Sequence, residues 1–234
     1  MKPLVIGFGY KARNGKDTCV AHLIETYKDK YNMKRYAFAN ELKVELYDAL
    51  VDGQHAYWRT NKDWLGLPKP SEAYEHHLVG QAASTKSVAE KVAWIEANRT
   101  PEILHHLQQY GTAFRRAQSP FYWVAKLAQR IAAEKPQVAL IADMRFKSEL
   151  LWVKSLGGIT VKVIRYGYTD PNRDPNHQSE VELDGTKFDF EIQVLDGEVD
   201  QLKKDAVTVM EIIEKAMNPV SKEMVEVLNV QSVA

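Results

Sequence analysis

The chain has 234 residues, 45% of them apolar, and 31 Lys plus Arg stand against 31 Asp plus Glu for a formal net charge of zero. That length and apolar content suit one medium domain, or one core with an inserted lobe, and exclude disorder as the default state. The zero balance excludes a grip on nucleic acid or on an acidic membrane through bulk positive charge. A single cysteine, Cys19, excludes an intrachain disulfide framework and a multi-cysteine zinc site, as expected in a reducing compartment. No apolar run approaches the roughly 18 residues that span a bilayer, and the start of the chain runs into Lys11 and Arg13 without a small-residue cleavage site. A cytoplasmic protein without a membrane or stable nucleic-acid partner is expected, and a homodimer is left open.

Pro3 to Gly9 is a short β-branched run ended by glycine, the pattern of a strand buried on both faces. Val20, Leu23, Ile24 and Tyr27 fall at helical spacing, which predicts a helix from Lys16. Arg35 to Ala39 reads as a second strand and Asn40 to Leu50 as a helix. From Asp52 to Thr100 the pattern loosens, with Trp58, Trp64, Trp94, Pro68, Pro70 and the pair His76/His77, and a mixed helical and loop lobe is expected there. Pro101 and Glu102 open a helix that Gly111 is expected to end, and Ser119-Pro120 an N-capped one with Phe121, Val124, Leu127, Ala128 and Ile131 on its buried stripe.

Val138 to Ala142 is a buried strand and Ser148 to Leu156 a helix stopped by Gly157-Gly158. Ile159 to Ile164 is the fourth strand, Tyr166 to Lys187 a polar segment rich in turn residues, and Phe188 to Leu195 the fifth strand. Val199 to Ala216 is a long amphipathic helix. Strands alternating with helices imply an α/β fold with a five-stranded, mostly parallel sheet covered on both faces. The tail 218–234 has no strong pattern.

Chemistry concentrates between the first strand and the first helix, in GFGYKARNGKDT, Gly7 to Thr18. A helix start offers free amides and a positive dipole end, and a glycine there lets backbone wrap phosphate oxygens. Asn14, Gly15, Lys16, Asp17 and Thr18 are the candidate nucleotide-binding residues, with the Lys16 ammonium placed beside the terminal phosphates of ATP. The segment departs from GxxxxGK[ST] in two places. Tyr10 stands where the first glycine belongs, with Gly9 one residue early, and Asp17 holds the hydroxyl position, with Thr18 one step later. The Mg2+ ligand is thus open between Thr18 and Asp17. Asp143 and Arg145 close the third strand, where open α/β sheets place their ligands; Asp143 is a candidate to order Mg2+ through water and Arg145 to clamp a phosphate.

The form GKDT resembles the phosphate loop of the bacteriophage deoxynucleoside monophosphate kinases, members of the P-loop nucleoside monophosphate kinase fold. In chain order, Phe38-Ala39 with Leu42-Lys43, LQQYGTAFRR with FYWVAKL (107–116 and 121–127), IADMRFKSE (141–149) and HQSE (177–180) resemble further stretches of that family. The resemblance implies a P-loop NTPase fold with a helical substrate-binding lobe at 52–135 and a lid at 166–187. It implies transfer of a phosphoryl group from ATP to a deoxynucleoside monophosphate, with Mg2+. Lys43, Arg115 and Arg116 become candidates for the acceptor phosphate, and Trp123 for stacking on a base or for the core. Arg165 is a candidate for the adenine, Arg173 a lid arginine for the transferring group, and His177, Ser179 and Glu180 fasteners of the lid. The string Ser179-Glu180-x-x-Leu183-Asp184 also looks like animal phosphomevalonate kinases. A dephospho-coenzyme A kinase, a P-loop ATPase and a nonhydrolysing nucleotide-binding module are further functions compatible with a Gly-Lys loop of this kind. His76/His77 and His105/His106 lack metal-ligand spacing.

Overall fold

The computed structural model describes residues 2–51, 86–169 and 175–217. Trp58, Trp64, Pro68, Pro70, His76, His77, Arg173 and the tail 218–234 lie outside these residues. In chain order the elements are β1 (Leu4–Gly9), α1 (Lys16–Tyr27), β2 (Met33–Tyr36), α2 (Phe38–Val51), α3 (Val88–Ala97) and α4 (Pro101–Gln108). A π-helical segment (Gln109–Arg116) follows, then α5 (Tyr122–Glu134), β3 (Val138–Met144), α6 (Lys147–Ser155), β4 (Ile159–Tyr166), α7 (Gln178–Val181), β5 (Phe190–Leu195) and α8 (Val199–Met217). The chain divides into two compact units, residues 1–35 with 136–234, and residues 36–135.

The first unit is built on an all-parallel, five-stranded sheet of order β2-β3-β1-β4-β5. β1 lies at its centre, paired with β3 from Leu4 opposite Val138 to Gly9 opposite Met144, and with β4 from Ile6 opposite Ile159. Central position explains its composition, because both faces and both edges of this strand are covered. Ile6 and Phe8 point to the face where α1 and α8 pack, in a core with Val20, Leu23, Leu140, Val163 and Ile213. Gly7 faces the other side, within reach of Val153 on α6. The connection from β1 runs outward to β2, while that from β3 runs back across β1 to β4. Two adjacent strands whose connections leave in opposite directions leave a crevice at their C-terminal ends, and the loops after β1 and β3 both open onto it.

The second unit, as described, is helical. Leu46, Tyr47, Ile95, Ile103, Tyr110, Trp123 and Leu127 are fully buried, and Tyr47 meets Trp94 edge-on at 5.4 Å between ring centres. Ser87 and Glu90 cap α3 reciprocally, and Thr100 caps α4 with Pro101 at its first position. The helical unit starts at Tyr36, earlier than the expected lobe boundary at 52, because α2 packs on α3 and α5.

Several boundaries differ from the sequence reading. β2 ends at Tyr36 and Phe38-Ala39 already belong to α2, since an apolar stretch that short fits a buried helical turn as well as a strand. Gly111 does not end a helix. It sits inside the π-helical segment, where a Cβ would come within 2.9 Å of Leu42 Cδ2, so its missing side chain admits a close approach of α2. Ser119-Pro120 form a turn instead of a cap: Ser119 accepts from the Phe121 amide through Oγ and from the Tyr122 amide through its carbonyl, and α5 begins at Tyr122. Among the described residues no helix is long and apolar enough to cross a membrane.

Gly158 provides a test of the packing of the first unit. A Cβ there would meet the carbonyl oxygens of Val5 at 2.6 Å and Val153 at 2.9 Å, both rigid backbone atoms. Gly158→Ala should destabilise the protein by about 1–3 kcal/mol, read as a lower urea midpoint at unchanged slope.

Candidate functional site

The loop from Tyr10 to Gly15 folds back over the end of the sheet with three residues in the left-handed region, Tyr10 (φ 99°), Arg13 (φ 54°) and Gly15 (φ 94°). Tyr10 thus adopts a glycine-like backbone at the position where the phosphate-loop signature has its first glycine. The amide of Tyr10 donates to the Met144 carbonyl at 3.1 Å, its ring lies under Lys162 Nζ at 4.6 Å, and its hydroxyl lies beside Asp184. Burial, followed by the neighbouring Asp184, pushes the phenol up to about 12, so it stays neutral. Asn14 is buried and donates through Nδ2 to the Val163 carbonyl at 2.9 Å, which anchors the loop to β4. The N-cap of α1 is Gly15, which has no side chain to bond the amides of the first turn.

Lys16 is 4% exposed at the start of this helix. Its ammonium donates to the carbonyl of Lys11 within the same loop. Burial, and secondarily repulsion from Arg145, push it down from 10.5 to about 7, while Asp17, Asp143 and Glu180 act in the opposite direction. A cation held in that way is under-compensated, and an arriving anion restores its charge.

A cleft of about 260 Å3 opens around these residues, lined by Arg13 to Thr18, Asp143, Arg145, Arg165 and the turn from Leu195 to Val199. β3 runs on to Met144, so Asp143 is a strand residue and not the cap of α6. Arg145 stands in the turn that follows, where buried Glu149 accepts from the amides of Arg145 at 2.7 Å and Phe146 at 3.1 Å. Its Nη1 donates to Glu180 at 2.5 Å. Arg165 is the next-to-last residue of β4, bonded through Nε to Asp196 at 2.8 Å and through Nη1 to the Arg13 carbonyl at 3.1 Å, with its guanidinium 4.1 Å from the centre of the Tyr168 ring. Asp17 pairs with Arg35 of β2 at 2.6 Å. Both partners of that pair are exposed, and Asp17, Thr18 and Asp143 all line the cleft as oxygen donors.

Among the described residues no group of three or more His, Cys, Asp or Glu is arranged to hold a metal. Mg2+ needs no such cage, because it retains waters and takes one or two protein oxygens together with substrate phosphates. Asp17, Thr18 and Asp143, all on the cleft, offer oxygens of that kind.

The remaining candidates lie in the helical unit. Lys43 sits in the second turn of α2 and pairs with Glu96 at 2.6 Å. Arg115 is committed to a polar cluster: it contacts Glu45, donates to the Tyr110 hydroxyl at 3.0 Å and lies 4.8 Å from the centres of the Phe114 and Tyr122 rings. Tyr122 donates to the same Glu45 at 2.7 Å. Arg116 is its half-buried neighbour on the π-helical segment, a kind of turn often retained at functional sites. Trp123 corrects the stacking expectation. It is 1% exposed with Nε1 donating to the Gly111 carbonyl at 3.1 Å, so its faces belong to the core and not to a base. Cys19 is fully buried, and burial pushes its thiol up to about 12, an inert apolar role. Arg173 lies outside the described residues. Sequence reasoning missed Glu149, which holds the backbone of Arg145, and Asp196, which holds the guanidinium of Arg165; the only signal was an acidic residue near Arg145 in sequence and one at the end of the strand after Arg165.

Two outcomes follow. Between about pH 7 and 10.5 the folded chain holds Lys16 neutral while the unfolded chain holds it protonated, so ligand-free stability rises through that window, and below it the full cost of a buried charge is present. Lys16→Met should raise the Tm of the nucleotide-free, Mg2+-free protein near pH 6 and flatten the rise at higher pH; an unchanged pH profile would contradict the burial. At position 10, Tyr10→Ala and Tyr10→Gly lose the same ring contacts but only glycine relieves the left-handed backbone. The glycine variant should therefore be the more stable by about 1 kcal/mol in urea unfolding, the reverse of the usual order in regular structure.

No protein-family model matches the chain and no curated protein matches it.

Proposed function

We propose that this protein is a P-loop kinase that transfers the γ-phosphoryl group of ATP to a deoxynucleoside 5′-monophosphate, giving ADP and the diphosphate. The observation that carries the proposal is a buried lysine at the start of α1, directly after the central strand of a parallel sheet, with Asp143, Arg145 and Arg165 lining the same cleft. That is the strand, loop and helix context which the Gly-Lys signature requires to be meaningful. The resemblance of GKDT, IADMRFKSE and HQSE to the bacteriophage kinases selects the acceptor class.

In this reading an oxygen of the acceptor phosphate forms a bond to Pγ while the bond from Pγ to the β–γ bridging oxygen breaks, and ADP leaves with that electron pair. No general base is needed, because the acceptor is already an anion. The protein aligns the two anions and neutralises their charge. The amides at the start of α1 and Lys16 hold the β- and γ-phosphates, Arg145 reaches the transferring group, and the flat face of Arg165 is set against adenine. Asp143, with Asp17 or Thr18, would hold Mg2+, which when bound neutralises charge across the phosphates. Lys43 and Arg116 remain the candidates for the acceptor phosphate, and Arg115 acts through the cluster it holds together.

The test is release of ADP from ATP and Mg2+ with each deoxynucleoside monophosphate in turn, and with phosphomevalonate and dephospho-coenzyme A as competing acceptors. Turnover with a deoxynucleoside monophosphate and its loss by about 10³-fold or more in Lys16→Ala is the expected result, as for removal of a principal charge on a transferring phosphoryl group. Equal ATP turnover without acceptor, or stimulation by DNA alone, would overturn the reading.

A further inference from the structure

Glu180 is a charged group buried away from the cleft surface, with 7% of its side chain exposed. Its two carboxylate oxygens serve two partners that are distant in the chain. Oε2 accepts from the amide of Ala12 in the β1–α1 loop at 2.9 Å, and Oε1 accepts from Arg145 Nη1 at 2.5 Å. Ser179 Oγ lies 3.3 Å from Oε1 and 2.9 Å from His177 Nδ1, which also accepts from the Ser179 amide at 3.2 Å, so His177 and Ser179 fix the direction of the carboxylate. One turn on, Asp184 lies beside the Tyr10 hydroxyl and 3.8 Å from Lys11 Nζ. The segment 177–184 thus touches the loop at three consecutive residues and the one arginine that follows β3.

A buried ion pair is seldom the most stable way to fill a space, since apolar residues of equal volume often do better. What a carboxylate provides here is two acceptors pointing in different directions, one for an amide and one for a guanidinium, and no neutral side chain of that size supplies both.

We propose that Glu180 is a positioning residue for phosphoryl transfer: it fixes the β1–α1 loop and Arg145 relative to each other, so that the Lys16 loop and the arginine address the same phosphates. The inference rests on the phosphoryl-transfer reading. Misplacement of a clamp by about 1 Å is enough to lose a factor of 10² in rate, which gives such a brace its value. Glu180→Gln keeps the volume and one acceptor for the Ala12 amide but removes the charge that holds Arg145.

The experiment measures kcat and KM with ATP and the accepted deoxynucleoside monophosphate, binding of inorganic tripolyphosphate by calorimetry, and Tm, for the wild type, Glu180→Gln, Glu180→Asp, Arg145→Met and the Glu180→Gln/Arg145→Met double variant. Glu180→Gln should lower kcat/KM about 10- to 100-fold, the range for loss of a hydrogen bond between charged groups, with most of the loss in kcat. Glu180→Asp, too short to span both partners, should lose rate in the same direction. In the Arg145→Met background, Glu180→Gln should change the rate by less than about twofold, because its effect passes through Arg145. A purely structural role predicts losses that follow Tm and are equal in both backgrounds, and that pattern, or wild-type rates in Glu180→Gln or Glu180→Asp, overturns the proposal while the kinase reading stands. A wild-type protein that binds no tripolyphosphate overturns both.

Discussion

The geometry of the cleft depends on a backbone constraint. Six residues after β1 must reverse direction closely enough for the start of α1 to open over the sheet, and the chain meets this with left-handed conformations at Tyr10, Arg13 and Gly15. Two of the three are not glycine, so the conformation is held by contacts and not by intrinsic preference. The contacts are specific: Tyr10 to Met144 and Asp184, Ala12 to Glu180, Asn14 to Val163. Gly15 has no such latitude, since a Cβ there would lie 2.5 Å from Leu202 Cδ2. The buried position of Lys16 follows from that fixed reversal.

Charge is distributed by the same logic. A net charge of zero conceals arginines that each have an assigned carboxylate: Asp17 for Arg35, Glu180 for Arg145 and Asp196 for Arg165 in the first unit, Glu45 for Arg115 and Glu41 for Arg130 in the second. Lys16 differs from them, with its ammonium on a backbone carbonyl and its proton weakly held. A polyanion entering the cleft therefore gains most at Lys16 and must share the arginines with partners that already orient them.

The first unit was largely legible in the sequence because its elements are long or bounded by punctuation. β1 and α1 are separated by a Gly-Lys loop, α6 is stopped by Gly157 in a left-handed turn, and α8 carries its apolar stripe over 19 residues. The helical unit was less legible. Gly111 reads as a terminator when its neighbours in space are unknown, yet its role is to admit Leu42. Trp123 reads equally as a platform for a base or as core, and only its burial and the bond to the Gly111 carbonyl decide. The braces at Glu149 and Asp196 were invisible as such, and Glu180 stood out only as a fastener of the expected lid, without its partners Ala12 and Arg145. A carboxylate near an arginine in sequence says nothing about which oxygen faces which amide.

The placement of the helical unit inside the chain also bears on how the protein assembles during synthesis. Both hydrogen-bonded neighbours of β1, namely β3 and β4, come after residue 135, so the pairing of Leu4 with Val138 closes a loop that contains the whole second unit. Helical contacts are local and form fast, whereas a parallel pair so far apart must wait for the intervening chain. The helical unit is therefore expected to be compact before the central strand finds its partners. Until then β1, the most apolar strand of the sheet, has both edges unpaired, and this interval is when the nascent chain is most exposed to aggregation.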